Sequence, residues 1–323
     1  MKNNKHLFTS PIIACTLAST MLITPMSFAS NLSINYSQLA HPVTLQDQSV
    51  LLKPTGSAIF LSTDISEHWN LGADYQAWQD DENYQNLAIV DLELLTWGAS
   101  VNYYQDNWFF TTSISRSEDD LLISNPRRQE NHRNENTQTT SIGALAGYNG
   151  SQGNWLYDVS IGAQYSDWDI ETKQQKVPKD KPISSLTEQF SDSSTSVNAA
   201  LSLAHFWSLT ENTGVLAGAM ISWNYMLSND DDLVDSLFDS SAVNGATFSR
   251  TTSRLSQRTI LQPTSGNNNS ASRVTSGDDN YGQLSFYLSY DISQSLAIDF
   301  DTSLEIASDN SSQTWSAGLS YSF

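Results

Sequence analysis

Cysteine, basic residues and long apolar runs are all scarce in this sequence, and each shortage closes off a class of function. The single cysteine, Cys15, lies near the N-terminus. If a leader containing it is removed, no disulfide or thiol chemistry remains. Lys and Arg total 15 against 35 Asp and Glu, a formal net charge of −20. Nucleic-acid partners are excluded by that balance, because binding a phosphate backbone requires cations to neutralise it. Nowhere does the chain offer the roughly 20 consecutive apolar residues of a membrane helix. That leaves strands as a way across a bilayer, provided each pairs with its neighbours around a closed barrel. The sequence mark of such a barrel is alternation, which averaged hydropathy hides. There is no P-loop, zinc-ligand spacing or nucleotide fingerprint, so no cofactor and no metal site is implied.

The N-terminus reads as an export signal. Lys2 and Lys5 form a basic start, residues 12–23 are mostly apolar, and Ser27-Phe28-Ala29 places small residues at −3 and −1 of a cut after Ala29. Ile12-Ile13-Ala14-Cys15 loosely imitates a lipoprotein box, but the apolar run continues past Cys15. The expected organisation is a signal peptide over 1–29, an N-terminal segment over 30–56 that contains the first strand, and a barrel over 57–323.

Strict alternation recurs along almost all of the remainder. Trp155, Tyr157, Val159, Ile161, Ala163 and Tyr165 show it clearly, as do Val215, Ala217, Ala219, Ile221, Trp223 and Tyr225. Eleven such strands can be traced from Ile59 to Phe323. Short connections at 66–68, 105–107, 149–154, 210–213 and 291–294 alternate with long polar ones at 80–94, 117–138, 167–194 and 227–280. Asn149-Gly150 reads as the turn within the third short connection. Only the connection at 308–312 is short where a long one is due. A soluble β-sandwich with an aromatic core would not divide its loops in this way. An even strand number needs one more strand upstream, and residues 31–39 supply Leu32, Ile34 and Tyr36 in alternation, with 43–52 as a second candidate. The expected fold is all-β, an antiparallel up-and-down transmembrane β-barrel of twelve strands, alternatively ten. Trp155 and Tyr165 share a face ten positions apart, about 23 Å of height for a strand tilted near 45°. One aromatic girdle would hold Trp69, Trp108, Trp155, Trp207 and Phe323. The other would hold Tyr75, Tyr165, Trp223, Tyr225 and Trp315.

The opposite face should line the lumen, and it is mainly Gly, Ser, Asn and Gln. Six acids share it: Asp64, Asp74, Asp158, Asp299, Asp301 and Glu305. The basic residues all fall outside the eleven strand cores, at the rim (Arg116), in the N-terminal segment (Lys53) or in loops. An open pore lined in this way favours cations through its field. Alternatively a basic segment folds inward. Residues 240–277 contain no acid and hold Arg250, Arg254, Arg258 and Arg273, the first three spaced to align on one helix face.

Catalytic constellations are missing. The His-x-Ser pair of outer-membrane phospholipases is absent after His41, His68, His132 and His205. Asp299-Phe300-Asp301 and Glu130-Asn131-His132 imitate the two halves of an omptin-like protease, but the topology keeps them apart, and acid–base catalysis needs groups within reach of one substrate. Asp230-Asp231-Asp232 and Asp278-Asp279 could hold calcium only as loop carboxylates. No enzyme activity is expected.

The closing residues Trp315, Ala317, Leu319, Tyr321 and Phe323 alternate with Ser316, Gly318, Ser320 and Ser322. On this pattern the chain resembles Gram-negative outer-membrane β-barrel proteins, and among them autotransporter-type twelve-stranded barrel domains, although only a short segment stands before the barrel where those carry a passenger. The resemblance covers about 57–323. It implies an outer-membrane location with Phe323 at the periplasmic side. Trp315, Leu319, Tyr321 and Phe323 would be the signal read by the barrel assembly machinery, after delivery by periplasmic chaperones. Membrane lipid and lipopolysaccharide would surround a monomer. General porins, which are larger and carry an arginine wall, match poorly. The expected function is a narrow passive, porin-like channel, cation-preferring if open. The alternative is a plugged barrel acting as a surface-interaction or structural protein through its long extracellular loops.

Overall fold

The computed structural model describes residues 30–45, 48–84, 88–125, 128–176, 184–210, 213–229, 248–251, 260–263, 280–306 and 313–323. They form β1 (Ser30–Leu45), β2 (Gln48–Leu52), β3 (Thr55–Asp64), β4 (Trp69–Tyr84), β5 (Ala88–Gln105), β6 (Trp108–Asn125), β7 (Arg128–Gln152), β8 (Trp155–Lys176), β9 (Ser184–Ser208), β10 (Gly214–Asn229), β11 (Phe248–Thr251), β12 (Ile260–Pro263), β13 (Asn280–Asp291), β14 (Leu296–Ile306) and β15 (Gln313–Ser322). Twelve of these, all but β2, β11 and β12, pair antiparallel in chain order, and β15 returns to pair with β1. The closing seam runs from Asn31 opposite Ser322 to Ala40 opposite Gln313. Ser30 and Phe323 tie it off by exchanging backbone hydrogen bonds of 3.0 and 2.9 Å. The ring of twelve strands has no edge strand, so its backbone groups in the bilayer can be satisfied within the wall.

Local chemistry sets the five tight turns. Asp106 takes a left-handed φ of 55° between β5 and β6, and Gly153 a φ of 62° between β7 and β8, conformations that Asp and Gly tolerate best. The Leu209 and Thr210 amides both reach the Thr213 carbonyl, and Ile292 and Ser293 reach that of Leu296. Asn149-Gly150 is not the turn that its composition suggests. It lies inside β7, opposite Asp158 and Tyr157. The glycine is there because the Tyr157 ring covers it: a Cβ would stand 2.0 Å from the ring.

The lipid-facing side chains follow the alternation. Ile161, Val159, Leu201, Leu203, Phe286, Leu288 and Leu319 all point outward and are exposed. Around the turn end, Trp69–Tyr103–Phe110, Trp108–Tyr148–Tyr157, Trp155–His205–Trp207 and Tyr321–Phe323 form runs of neighbouring rings. Short turns mark the periplasmic end of outer-membrane barrels, and that end carries both Ser30 and Phe323.

In three of the four long connections the described residues are strand. The ladder continues to Tyr84 opposite Ala88, Asn125 opposite Arg128 and Lys176 opposite Ser184. The alternation never stops there; it inverts. Below the outer girdle, apolar residues face out to lipid and polar ones face in. Above it, Asp167, Asp169, Glu171 and Lys173 of β8 face out to water, while Trp168 and Ile170 face in and are buried. The same inversion turns Val90 and Leu94 of β5 and Leu121 of β6 inward. Arg128, Arg133, Lys173 and Lys176 therefore belong to strands rather than loops, beyond the outer girdle, and Arg116 stands on β6 opposite Trp97. Of the two candidate first strands, the stretch 43–52 is split: its start completes β1 and its end forms β2, a hairpin extension of β1. Pro54 interrupts the run from β2 to β3, and the Lys53 amide is satisfied by the Asp80 carboxylate at 3.0 Å.

Candidate functional site: the barrel lumen

The inner face of the wall is the only surface that concentrates unusual chemistry among the described residues. At its periplasmic end a chain of side-chain hydrogen bonds crosses four strands. Asn70 donates to Asp64 at 2.9 Å, Asn102 donates to Asn70 at 3.1 Å, and Thr111 donates to Asn102 at 2.7 Å. Each amide gives one bond and accepts another, so the Asp64 carboxylate is held at the end of an ordered row.

Across the lumen a second cluster gathers around Tyr287 of β13. Gly218 of β10 leaves space for the ring, and a Cβ at that position would stand 2.3 Å from the tyrosine oxygen. Lying over it, Tyr287 reaches two strands away, where its hydroxyl is 3.5 Å from Ser202 Oγ. Asp158 of β8 is the register partner of Ser202 and is 2% exposed. On the other side, Asp301 of β14 is the partner of Tyr287 and accepts a 3.1 Å hydrogen bond from Ser316. Asp299 is the partner of Ser289 and Gly318.

Asp74 faces inward from β4, against Gly98 of β5, where a Cβ would stand 2.6 Å from its carboxylate oxygen. Glu305 of β14 is in register with Gln283 of β13, and its side chain lies outside the described residues. Arg250 stands on β11 opposite Leu261, a strand where the fourfold spacing of arginines suggests a helix. Arg254, Arg258 and Arg273 lie outside the described residues, as do the loop carboxylates at 230–232 and 278–279.

Polarity does not cover the whole inner wall. Leu156, Ala204, Leu216 and Tyr287 form a buried apolar cluster with Phe206 packed against it, and Phe109 is buried over Gly147. These residues stand on the inner face in the periplasmic half of the wall. They are legible in principle: in Trp108-Phe109-Phe110, alternation sends the middle ring inward.

The hairpin of β11 and β12 meets the wall at two places, β12 beside β8 and β11 beside β1. Those strands are diametrically opposed in the ring, so the hairpin reaches from one side of the ring to the other.

The imitated protease halves do not meet. His132 pairs with Ser124 and Gln175 at the outer tip of β7, while Asp299 lies in the periplasmic half of β14. His205 faces outward between Trp155 and Trp207, with ring centroids 4.7 and 4.4 Å away, as one member of the aromatic girdle.

The sequence matches no protein-family model, and no curated protein matches it. Among solved structures it is similar to the translocator domain of the autotransporter NalP from Neisseria meningitidis, with a TM-score of 0.60 and 10% identity over 96% of this chain and 94% of that one. The beta domain of the Bordetella autotransporter BrkA is similar with a TM-score of 0.53 and 10% identity over 90% of this chain and 98% of that one. Likeness at this identity concerns the fold, which is the closed twelve-stranded barrel of the outer membrane.

Proposed function

We propose that the protein is a narrow passive channel of the outer membrane that favours cations. One observation carries this reading. Carboxylates from four sectors of the ring, Asp64, Asp74, Asp158 and the Asp299–Asp301 pair, share the inner wall, and between the girdles no Lys or Arg stands on that face among the described residues. A low-dielectric wall focuses the field of such charges along the axis, which raises the local cation concentration. The apolar cluster of Leu156, Leu216 and Tyr287 makes the path narrow. No catalytic step belongs to this reading.

The second reading is a plugged barrel that serves as a surface-interaction or structural protein. Its support is the β11–β12 hairpin, which meets opposite walls. In either reading a leader cut after Ala29 exports the chain, periplasmic chaperones and the barrel assembly machinery insert it, and it stands as a monomer against lipid and lipopolysaccharide.

Recording of purified protein in a planar bilayer separates the two. Discrete, stable steps support the channel. Silence at high protein concentration supports the plugged barrel.

A further inference from the structure

Above the outer girdle, β4–β9 continue as an open sheet with two edges, and the chain treats them differently. At the β4 edge, Asp80 is 6% exposed and accepts the Lys53 amide at 3.0 Å. At the other edge, β10 shifts register between Met226 and Ser228, and its pairing with β9 ends at Asn229 opposite Ser194. From Ser184 to Ser193, β9 pairs with β8 on one side, and among the described residues no strand pairs on the other. At about 3.3 Å per residue that edge is roughly 30 Å long. Ser185, Leu186, Thr187, Glu188 and Gln189 are exposed one after another, Leu186 by 54%, so neither face of this end is covered. Sheet edges are ordinarily blunted by Pro, Lys or a bulge, or hidden under another element. Residues 184–193 contain no Pro, Lys or Gly, and their register with β8 runs without a bulge. Such an edge is a template for one more strand.

We propose that this edge of β9 docks an extended cationic segment of a partner protein by strand addition. Backbone hydrogen bonds along the edge supply the affinity, and charge selects the partner. Asp167, Asp169 and Glu171 of β8 face outward beside Ser193, Ser191 and Gln189 of β9. An added strand lies two strand spacings from β8, about 10 Å. Two of the three intervening side chains are serines, so a Lys or Arg on the added strand leans over them toward the carboxylates. Lys173 answers Glu171 at 2.7 Å, and no cation among the described residues pairs with Asp167 or Asp169. On the other face, Leu186 offers an apolar contact and Glu188 a further carboxylate. The segment that fits therefore alternates Lys or Arg with β-branched residues. A second copy of β9 would set Glu188 and the β8 acids against their own kind, which like charge disfavours. The edge stands outside the lumen, so docking holds whether or not the pore conducts.

The test uses the full-length barrel in phosphatidylcholine nanodiscs. The probe is a fluorescent, end-capped decapeptide in which Lys alternates with Val. Anisotropy at low salt, corrected for empty discs, should show saturable binding. Methylating the amide nitrogens along one edge of the peptide keeps its charge and removes that edge's donors. One of the two edge-methylated peptides should bind about tenfold more weakly, and the other should match the parent. Asp167→Asn with Asp169→Asn removes two exposed charges, and heat-modified gel mobility checks that this variant folds. Its affinity for the parent peptide should fall about fivefold. Bound peptide should also slow hydrogen exchange at residues 184–193. Absence of saturable binding beyond empty discs, equal binding of all three peptides, or equal affinity in wild type and the paired variant would overturn the assignment. So would unchanged exchange at residues 184–193, or a barrel dimer in native mass spectrometry that the peptide leaves intact, since a second copy would then hold the edge.

Discussion

Ile161 and Asp169 lie on the same outward face of β8 and meet different solvents. Ile161 is six positions beyond Trp155. At about 3.3 Å per residue and a tilt near 45°, it stands roughly 14 Å above that ring, near the middle of a hydrocarbon band about 25 Å tall. It is 59% exposed, so lipid is what it touches. Asp169 stands roughly 33 Å above Trp155 by the same arithmetic, well past Tyr165 and in water. Ile161→Arg should therefore destabilise the barrel folded into vesicles by about 2–4 kcal/mol. Asp169→Arg loses an exposed hydrogen bond from Ser191 and should change it by less than about 0.5 kcal/mol. Urea titration of folding into large unilamellar vesicles, followed by tryptophan fluorescence and by heat-modified gel mobility, reads both values. Equal losses at the two positions would refute the inversion of the pattern at the outer girdle.

Three further outcomes follow from the geometry. Gly218→Val places a methyl-bearing carbon against the Tyr287 ring and the Ala204 Cβ, which is 2.8 Å from the added atom, and should destabilise the barrel by about 1–3 kcal/mol in the same titration. In the outer extension, the Asp91 carboxyl titrates above its ordinary range because burial, then Asp81 and Asp120, oppose its ionisation. Its contribution to stability is thus full below the unfolded value near 4 and is lost as pH rises through the higher native value; hydrogen-exchange protection at the β4–β6 tips, corrected for intrinsic rate, should be greater at pH 4 than at pH 6, and Asp91→Asn should abolish the Asp91 part of the difference. Deleting Phe323 removes the last girdle ring and its backbone bonds to Ser30, and surface levels measured by whole-cell antibody binding should fall severalfold; unchanged levels would deny the closing strand its role in assembly.

The alternation in the sequence is enough to place the twelve strands of the membrane-spanning wall, because lipid on one side and a polar lumen on the other impose a strict period of two. Reading stops being straightforward where the solvent changes. At Trp168 and Ile170, apolar residues fall on the face that was polar further down, so the stretch 167–194 looks like a loop although pairing continues as far as Lys176 and Ser184. Asn149-Gly150 misleads for another reason, since the glycine answers a ring across the strand pair rather than a turn. The inward aromatics Phe109, Phe206 and Tyr287 are hidden among Gly and Ser, and the glycines that accommodate them, Gly147, Gly214 and Gly218, sit on neighbouring strands.

The reversal potential of single channels under a tenfold KCl gradient addresses the channel proposal most directly. The wild-type barrel should conduct with a cation-selective reversal potential, and Asp299→Asn with Asp301→Asn should move that potential toward zero while discrete steps persist. An anion-selective potential, or one that the paired substitution leaves where it was, would contradict the assignment of these carboxylates to a conducting lumen.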